Sequence, residues 1–474
     1  MNWSCRLLIC FGLTCLALTG LILWFRATLN LHPMAWLFSA TCATICFAAL
    51  KIPRPWQQCF LISAITVAVT LWAAEIYYQF TKAQDPLLVA ATAHGVEFDE
   101  RSPLEVILDL RKTGVMAYPP VDPKSMAKIT SSGERIEAVS ISGEKIVPLG
   151  TVSNSTIVGC NENGEFLIYR SDRHGFHNPG EAWQTTPTII SAVGDSFTQG
   201  SCVKPNEGMV AVIQKEVAGT LNFGMPGAGP LSALAALKEY AEKYQPRIVL
   251  WFYYDVNDIS KDLKIEKKIP TLMKYLRTSF RHNLIQKQAV LDEQLRAYFD
   301  KGISERQKKL DGGILSTEQK TVLWKERIAD FLFLRTLRTV FRISARNLTS
   351  SRAAPELELM EAVLSEAKQT VEAWGGEIYV VYLPGWYWFA ERSVSRWNPS
   401  LNISNPTNFD WSRPQFLALI EELKIPLIDL LPVFKAQSDP LAYFPFRQYG
   451  HYNAAGHKFV ADEILRKLPL DKLR

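Results

Sequence analysis

Short apolar segments alternate with amphipathic segments along the chain from residue 188 onwards. The apolar segments have the length of strands, and the segments between them repeat apolar residues at helical spacing. Strands are predicted at Thr188–Val193, Thr220–Phe223, Ile248–Tyr254, Ile378–Leu383 and Pro426–Leu430, and helices at Gly208–Ala218, Leu231–Tyr244, Arg413–Leu423 and Ala454–Leu468. Because such alternation is typical of parallel sheets covered on both faces, the pattern predicts an α/β fold with about five parallel strands. Functional groups of such folds collect at the carboxyl ends of the strands.

Three long apolar runs precede this region, at Leu7–Phe25, Ala35–Leu50 and Cys59–Tyr78. Crossing about 30 Å of hydrocarbon takes about 20 apolar residues. The first and third runs are long enough, and the second is marginal. A cleaved signal peptide is the alternative for the first run, but no clear small-residue cleavage site precedes the second. We therefore predict three transmembrane helices.

The basic residues around these runs predict an orientation. Arg6, Lys51 and Arg54 fall on one side of the three spans, and Arg26 falls on the other. Because the side richer in Lys and Arg stays in the cytoplasm, three spans place everything after Tyr78 outside. The prediction is a multi-pass membrane protein with a periplasmic or extracellular catalytic domain.

The chain is predicted to have three parts. Residues 1–80 form the membrane region, 81–187 a linker and β-rich pre-domain, and 188–474 the main domain, with a helical insertion at about 260–370. The insertion's charged faces suit either a solvated surface or a cap over the site. Net charge is only +5 over 474 residues, without a basic stripe, which excludes nucleic acid as a partner.

Six of the eight cysteines lie in or beside the apolar runs, where they serve as small hydrophobic residues. No CxxC pair or Cys/His cluster indicates zinc, so neither a structural metal nor a cofactor is predicted. Cys160 and Cys202 are the remaining two. They either form a disulfide, if this part of the chain is exported, or stay as two free thiols.

A serine follows the first predicted strand, in Gly194-Asp195-Ser196-Phe197-Thr198. A serine in a sharp turn before a helix lies where the helix N-terminus favours developing negative charge, as a nucleophile requires. A Gly-Asp-Ser turn is also an ordinary helix entry, so this motif alone does not establish catalysis.

Three further motifs follow later strands. The loop 222–229 holds Gly224, Gly227 and Gly229, whose backbone N–H groups can approach an oxyanion closely. Asn257 follows the third strand, where its amide could donate to the same oxyanion or simply cap the next helix. His451 precedes the last helix, where a general base would belong, although a lone histidine is more often structural.

In this order and setting the motifs resemble the blocks of the SGNH (GDSL-like) hydrolase superfamily. The resemblance implies that Ser196 is the nucleophile, that His451 moves the proton, and that Gly227 and Asn257 join the Ser196 N–H in an oxyanion hole. Losing one such donor costs about 10²–10³-fold in rate.

The resemblance also implies a fold. It covers residues 188–260 and 375–470, and it implies a flavodoxin-like three-layer sandwich. Two positions depart from the family pattern: Val256 replaces the usual glycine of the third block, and Gln448 stands where an aspartate usually precedes the histidine. The carboxylate of Asp439 or Asp429 could take the role of that aspartate, or a Ser-His dyad could suffice.

A second histidine is the alternative base. Asp172-Arg173-His174 lies 22 residues before Ser196 and resembles the Asp-x-His of alginate-type O-acetyltransferases, whose motif also precedes the serine. It could equally be a turn between strands. His451 is the preferred assignment, and His457, inside the last helix, is expected to be structural.

The segment after the fourth strand is aromatic, with Trp386, Tyr387 and Trp388, and Trp397 and Trp411 lie beyond it. These side chains either bind sugar rings or acyl chains at the mouth of the site, or anchor the loop by being buried. A membrane-fixed SGNH domain facing outward resembles enzymes that add or remove acyl groups on cell-surface polysaccharides.

The predicted activity is therefore that of an O-acyl esterase or O-acetyltransferase for glycans, and a transferase would need a membrane partner that supplies the acyl donor. The alternatives are a catalytically degenerate SGNH scaffold or glycan-binding protein, for which Gln448 argues, and a lipase or lysophospholipase.

Overall fold

A computed structural model describes the protein over the ranges 3–25, 35–80, 86–129, 135–137, 139–141, 143–185, 187–311, 356–390 and 412–469. Its contacts divide the chain into two compact units. The described part of the first unit lies within residues 1–83, and that of the second within 84–311 and 356–474.

The first unit contains three helices, α1 (Trp3–Phe25), α2 (Ala35–Ala49) and α3 (Arg54–Phe80). Helices form at all three predicted apolar runs. Large apolar side chains on them face outward, among them Phe11, Leu13, Leu16, Ile62, Val67 and Val69. Within the part of the chain that the structure describes, one helix, Arg54–Tyr77, is long and apolar enough to cross a membrane. The prediction of three spans therefore has support, by length and composition, for the third run alone.

The second unit begins with two helices and seven short strands. The helices are α4 (Pro86–Ala93) and α5 (Pro103–Lys112). The strands are β1 (Ala117–Tyr118), β2 (Ala127–Ile129), β3 (Arg135–Glu137), β4 (Val139–Ile141), β5 (Glu144–Ile146), β6 (Thr156–Val158) and β7 (Ile168–Arg170). Strands β6 and β7 pair antiparallel, and β1 joins β6 to make a three-stranded sheet.

Five parallel strands form the main sheet, which confirms the predicted number and direction. They are β8 (Ile190–Val193), β9 (Thr220–Asn222), β10 (Ile248–Tyr254), β11 (Glu377–Leu383) and β12 (Leu427–Asp429). Their order across the sheet is β12-β11-β10-β8-β9. All seven residues of β10 are buried, which is why this strand reads as an uninterrupted apolar run.

Helices cover both faces of this sheet. Those of the second half are α6 (Ser196–Gln199), α7 (Met209–Glu216), α8 (Pro230–Ala236), α9 (Leu263–Glu266), α10 (Pro270–Lys274), α11 (Gln288–Asp311), α12 (Leu357–Ala373), α13 (Arg413–Glu422), α14 (Leu431–Lys435) and α15 (Ala454–Lys467). Because side chains alternate along β10, Trp251 lies in the core under α8, α12 and α13, and Phe252 in the core under α7, α14 and α15. The result is a three-layer α/β arrangement.

The described part of the segment between β10 and β11 contains several helices joined by turns and loops. Helices α9 to α12 belong to it, and residues 312–355 of the predicted insertion lie outside the described residues. The region before β8 shares a core with the sheet, since Val106, Tyr118 and Ile157 belong to the same buried cluster as Trp251.

Candidate active site

Ser196 lies directly after β8, at the first position of the short helix α6. Asp195 caps this helix, and its Oδ1 accepts a hydrogen bond from the backbone N–H of Phe197 at 2.9 Å. A Cβ at Gly194 would lie 2.3 Å from Thr198 Oγ1, so a side chain at 194 would force this turn open. The sequence therefore folds locally into a tight turn that presents the serine at the carboxyl end of the sheet.

His451 lies just before α15, and its ring reaches Ser196. The Nε2 atom is 2.8 Å from Ser196 Oγ. Asn453 caps α15 by accepting a hydrogen bond from the Gly456 N–H at 2.9 Å, which fixes where the helix begins and so where the histidine lies. The ring of Phe197 packs against the imidazole, with 4.8 Å between the ring centroids.

Glu162 holds the other side of the imidazole. Its Oε1 lies 3.0 Å from His451 Nδ1, and its Oε2 accepts a hydrogen bond from the backbone N–H of His451 at 2.6 Å. Because an ionised carboxylate only accepts, Nδ1 carries the proton and Nε2 is left to accept from the Ser196 hydroxyl. Serine, histidine and glutamate thus form a continuous hydrogen-bonded chain, which is the geometry of a catalytic triad.

Burial and charge shift the pKa values of this pair. Burial by itself would lower the pKa of His451, but the charge of Glu162 and its hydrogen bond outweigh this and raise it above the ordinary value. Burial would raise the pKa of Glu162, yet the attraction and hydrogen bonds of His451 lower it. Both shifts favour a charged carboxylate beside an imidazole that readily takes up a proton.

Glu162 belongs to the loop between β6 and β7, which a disulfide ties to the segment after α6. Cys160 is bonded to Cys202, with 4.9 Å between their Cα atoms. Of the two alternatives from the sequence, the structure contains the disulfide. Asn163 adds a hydrogen bond from its Nδ2 to the Cys202 carbonyl oxygen at 2.8 Å.

The acid residues expected from the sequence lie elsewhere, so their predicted role is corrected. Asp439 pairs with Arg447 and Asp429 with Arg413. The backbone N–H of Gln448 bonds to Pro445, and at the imidazole the carboxylate of Glu162 fills the position that Gln448 was expected to take.

Asp172 and His174 also lie away from the serine–histidine contact. The buried carboxylate of Asp172 accepts hydrogen bonds from the backbone N–H groups of His174 and Phe176 and from the side chains of Asn178 and Trp183. These four bonds make Asp172 the centre of a turn. The His174 ring packs edge-on against Trp183, and burial lowers its pKa to about 4. The alternative base assignment is thereby corrected: this motif organises a turn.

The two predicted oxyanion donors lie in the loops that follow β9 and β10. Gly227 has a φ of +70°, and a Cβ there would lie 2.5 Å from the carboxyl carbon of Asp122. Glu266 fixes the end of this loop by accepting from the Gly229 N–H at 2.7 Å. Asn257 makes no side-chain capping bond to the helical turn that follows it, and its Oδ1 is buried without a hydrogen-bond partner among the described residues. The capping alternative for Asn257 is therefore not realised.

The aromatic segment after β11 is an anchor. Trp386 and Tyr387 are each only 3% exposed, and Trp386 Nε1 donates to the carbonyl oxygen of Arg447 at 3.0 Å. Trp388 Nε1 and the Tyr382 hydroxyl both donate to the carboxylate of Asp255. These contacts favour the anchoring alternative over the predicted substrate-binding role of the three residues. Trp397 and Trp411 lie outside the described residues.

His457 lies in the core, as expected. It is fully buried in α15, its Nδ1 accepts from the Met209 N–H at 3.2 Å, and burial lowers its pKa to about 3.

Glu162 is the functional residue that the motifs missed. It stands in no block of the family pattern and in no strand of the main sheet. One signal could have found it: Cys160 is two residues before it, and Cys202 is six residues after Ser196. A disulfide between these two cysteines requires Glu162 to lie close to Ser196.

No protein-family model matches the sequence, and no curated protein matches it significantly. Solved structures with a similar arrangement include a putative lipolytic protein of the G-D-S-L family from Desulfitobacterium hafniense, with 12% identity and a TM-score of 0.31 over 59% of this chain and 99% of that one. A lipase/acylhydrolase from Enterococcus faecalis has 13% identity and a TM-score of 0.31, covering 59% of this chain and 94% of its own. An acetyl xylan esterase has 11% identity and a TM-score of 0.29, covering 59% and 99%. TM-scores of this size do not establish kinship, so the assignment of function rests on the geometry.

Proposed function

We propose that the protein is an SGNH-type serine esterase, anchored to a membrane, that hydrolyses acyl esters, most simply acetyl esters, of glycans outside the cytoplasm. The observation that carries the proposal is the chain of contacts from Ser196 Oγ through His451 to Glu162, at 2.8 Å and 3.0 Å. This arrangement supplies a nucleophile, a base in reach of its proton, and a carboxylate that orients the base.

The reaction follows from these contacts. Neutral His451 takes the hydroxyl proton of Ser196 at Nε2 while Oγ attacks the ester carbonyl, and Glu162 stabilises the imidazolium that forms. The imidazolium then gives its proton to the leaving alkoxide, which leaves an acyl group on Ser196. A water molecule, deprotonated by the same histidine, releases the acyl group as a carboxylic acid. A sugar hydroxyl in place of that water would make the same site an O-acyltransferase.

Negative charge develops on the carbonyl oxygen during both steps. We assign its stabilisation to the backbone N–H groups of Ser196 and Gly227 and to the side chain of Asn257. Support comes from the position of Ser196 at the start of a helix and from the Asn257 amide, which makes no capping bond.

A degenerate scaffold fits these contacts less well. Its main argument was Gln448 in place of an acid, and a carboxylate from Glu162 occupies that position at the imidazole instead. A binding protein would have no need for a serine, a histidine and a carboxylate that are joined by hydrogen bonds.

Two features support the cellular setting, and the substrate class is inferred from that setting. The Cys160–Cys202 disulfide favours an oxidising compartment such as the periplasm or the cell exterior. Helix Arg54–Tyr77 favours a membrane anchor. A hydrolase held there would meet acylated cell-surface glycans, and a transferase would in addition need a membrane partner that supplies the acyl donor.

The test uses the full chain in detergent micelles, with a serine-directed fluorophosphonate probe and a chromogenic acetyl ester. We expect labelling and turnover in the wild type and neither in Ser196→Ala. His451→Ala should lose both as well, whereas His174→Ala, the matched histidine control, should keep both. Release of acetate from an O-acetylated polysaccharide, compared with release of a fatty acid from a lysophospholipid, separates a glycan esterase from a lipase.

The outcome against the proposal is equally definite. If the oxidised wild-type chain neither reacts with the probe nor turns over the ester, the protein is not a serine esterase. Activity lost in His174→Ala and kept in His451→Ala would overturn the assignment of the base.

A further inference from the structure

The disulfide joins the two segments that flank the catalytic residues. Cys160 is two residues before Glu162, and Cys202 is in the turn that follows α6, the helix that begins with Ser196. The Cys202 Sγ is 3.5 Å from His451 Nδ1, so the cross-link lies beside the contact between the histidine and the acid.

The loop that carries Glu162 also makes hydrogen bonds with residues that precede the main sheet in the chain. The Leu167 N–H donates to the Cys160 carbonyl oxygen at 3.0 Å, continuing the pairing of β6 with β7. Asn161 Nδ2 donates to the Asp99 carbonyl oxygen at 3.0 Å. These contacts shape the loop, but none of them ties it to the part of the chain that carries the serine.

The contacts that do tie it there are few. Among the hydrogen bonds, ion pairs and disulfides of the described residues, the loop reaches the 200–204 turn through the disulfide, through Asn163 and through Glu165. The ion pair of Glu165 with Lys204 is more than half exposed on both sides and contributes little. Of these three links between the loop and the 200–204 turn, the disulfide is the only covalent one.

We propose that the Cys160–Cys202 disulfide is a positioning element of the catalytic site, which holds Glu162 against His451, and that reducing it lowers the activity without unfolding the protein. The inference rests on the proposed esterase function. In this proposal a redox-sensitive bond controls where Glu162, the charge partner of His451, lies.

The chemistry of the switch balances with a dithiol as reductant. The dithiol gives two electrons and two protons, the S–S bond breaks into two thiols, and the reductant closes into its own cyclic disulfide. The loop is then free to move, and the new Cys202 thiol lies within reach of Nδ1 as a rival to the carboxylate. A displacement of the order of 1 Å in a catalytic group costs up to about 10²-fold in rate.

The test applies two changes to the full chain, reduction of the disulfide and the substitution Glu162→Gln. The activity is measured with each change alone and with both together. In the wild type, dithiothreitol should lower kcat by about 10- to 100-fold and leave KM nearly unchanged. It should also shift the midpoint of the pH profile to lower pH, because His451 loses the charge that raises its pKa. In Glu162→Gln, reduction should change kcat by less than about twofold, since the group on which it acts is gone.

Two double cysteine variants, reoxidation and a metal chelator serve as controls for the effect of reduction. Cys160→Ala/Cys202→Ala should behave as the reduced protein without any reductant, whereas Cys10→Ala/Cys59→Ala, which removes two free cysteines, should behave as the wild type. Reoxidation of the reduced wild type should restore its activity. All solutions contain a metal chelator, because the two sulfur atoms and the His451 imidazole lie within 4.8 Å of one another and reduced thiols could capture zinc there.

A readout independent of turnover separates this inference from the proposed function. In protein with isotope-labelled histidine, the His451 resonance, assigned with His451→Gln, should titrate at lower pH after reduction. Circular dichroism should show an unchanged fold. An unchanged His451 titration overturns the inference even if the protein is an esterase, as does an equal loss of activity on reduction in the wild type and in Glu162→Gln. If the titration shifts but no ester is turned over, the esterase function fails and the positioning of Glu162 stands.

Discussion

In the proposed mechanism, the His451–Glu162 pair governs when the serine can be activated. The imidazole must be neutral to accept the hydroxyl proton, yet Glu162 raises its pKa. The same carboxylate stabilises the imidazolium of the transition state, so it shifts the working range to higher pH while it lowers the barrier.

Replacing Glu162 by Gln should therefore change both the rate and its pH dependence. In the wild type, kcat/KM should rise with pH through a midpoint above about 6.5, the ordinary pKa of histidine. In Glu162→Gln the midpoint should fall, because burial then dominates, and kcat should drop by about 10³–10⁴-fold. Asp439→Asn, a matched change in an exposed acid 43% accessible, should alter neither. A pH midpoint that is the same in Glu162→Gln and in the wild type would contradict the pairing.

The pair also links folding to pH, with a definite sign. The raised pKa of His451 adds stability that is fully present below the pKa of an unfolded histidine and is lost as pH rises through the higher folded value. The lowered pKa of Glu162 adds stability above the pKa of an unfolded glutamate, and this is lost as pH falls through the lower folded value. Both contributions are therefore present together in mildly acidic solution.

Sequence reasoning named Ser196 and His451 because each follows a strand that is visible as an apolar run. Glu162 has no such mark, because its loop lies outside the main sheet and its distance from Ser196 depends on how the β6–β7 hairpin packs. The role of the aromatic segment 386–388 was not predictable for another reason. Composition could not show that the Asp255 carboxylate would accept a hydrogen bond from the Trp388 indole and so hold this segment against the protein.

At the scale of elements, the turn around Asp172 shows how a catalytic-looking motif can be structural. Four hydrogen bonds reach its carboxylate from the following eleven residues, so the turn before β8 is organised around one buried acceptor. The five main strands, by contrast, were predictable within a few residues. Burial on both faces of β8 and β10, for example, leaves largely apolar runs bounded by polar loops.

Removing the Asp172 carboxylate should destabilise this element. Asp172→Ala leaves several buried donors without an acceptor, so we expect the free energy of unfolding to fall by about 2–4 kcal/mol, measured by urea denaturation. Asp109→Ala, at a carboxyl 45% accessible, is the matched control and should cost well under 1 kcal/mol. At temperatures where Asp172→Ala remains folded, its Ser196 should still react with the serine probe. Equal stability of the two variants would refute the structural role.

At the scale of the whole molecule, the amino-terminal helices and the catalytic unit have different surfaces. The described helices of residues 1–80 expose large apolar side chains, whereas the unit that follows buries two apolar clusters, one on each face of its sheet. Neither of these clusters includes a residue of the first three helices.

This division leads to a prediction about topology. In right-side-out membrane vesicles, protease added from outside should digest the catalytic unit and leave the amino-terminal helices protected, because the charge bias predicts that the residues after Tyr78 lie outside. In inverted vesicles the catalytic unit should be protected instead. A catalytic unit digested only in inverted vesicles would reverse the predicted orientation.

The wide spacing of the triad along the chain has a consequence for how the enzyme is made. Glu162 and His451 are 289 residues apart, and the serine lies between them. The whole of this interval must therefore be synthesised, and α15 must dock, before the three side chains can meet. On the proposed function, the nascent chain therefore has no hydrolytic activity until the segment that carries His451 has been made and has folded against the loop of Glu162.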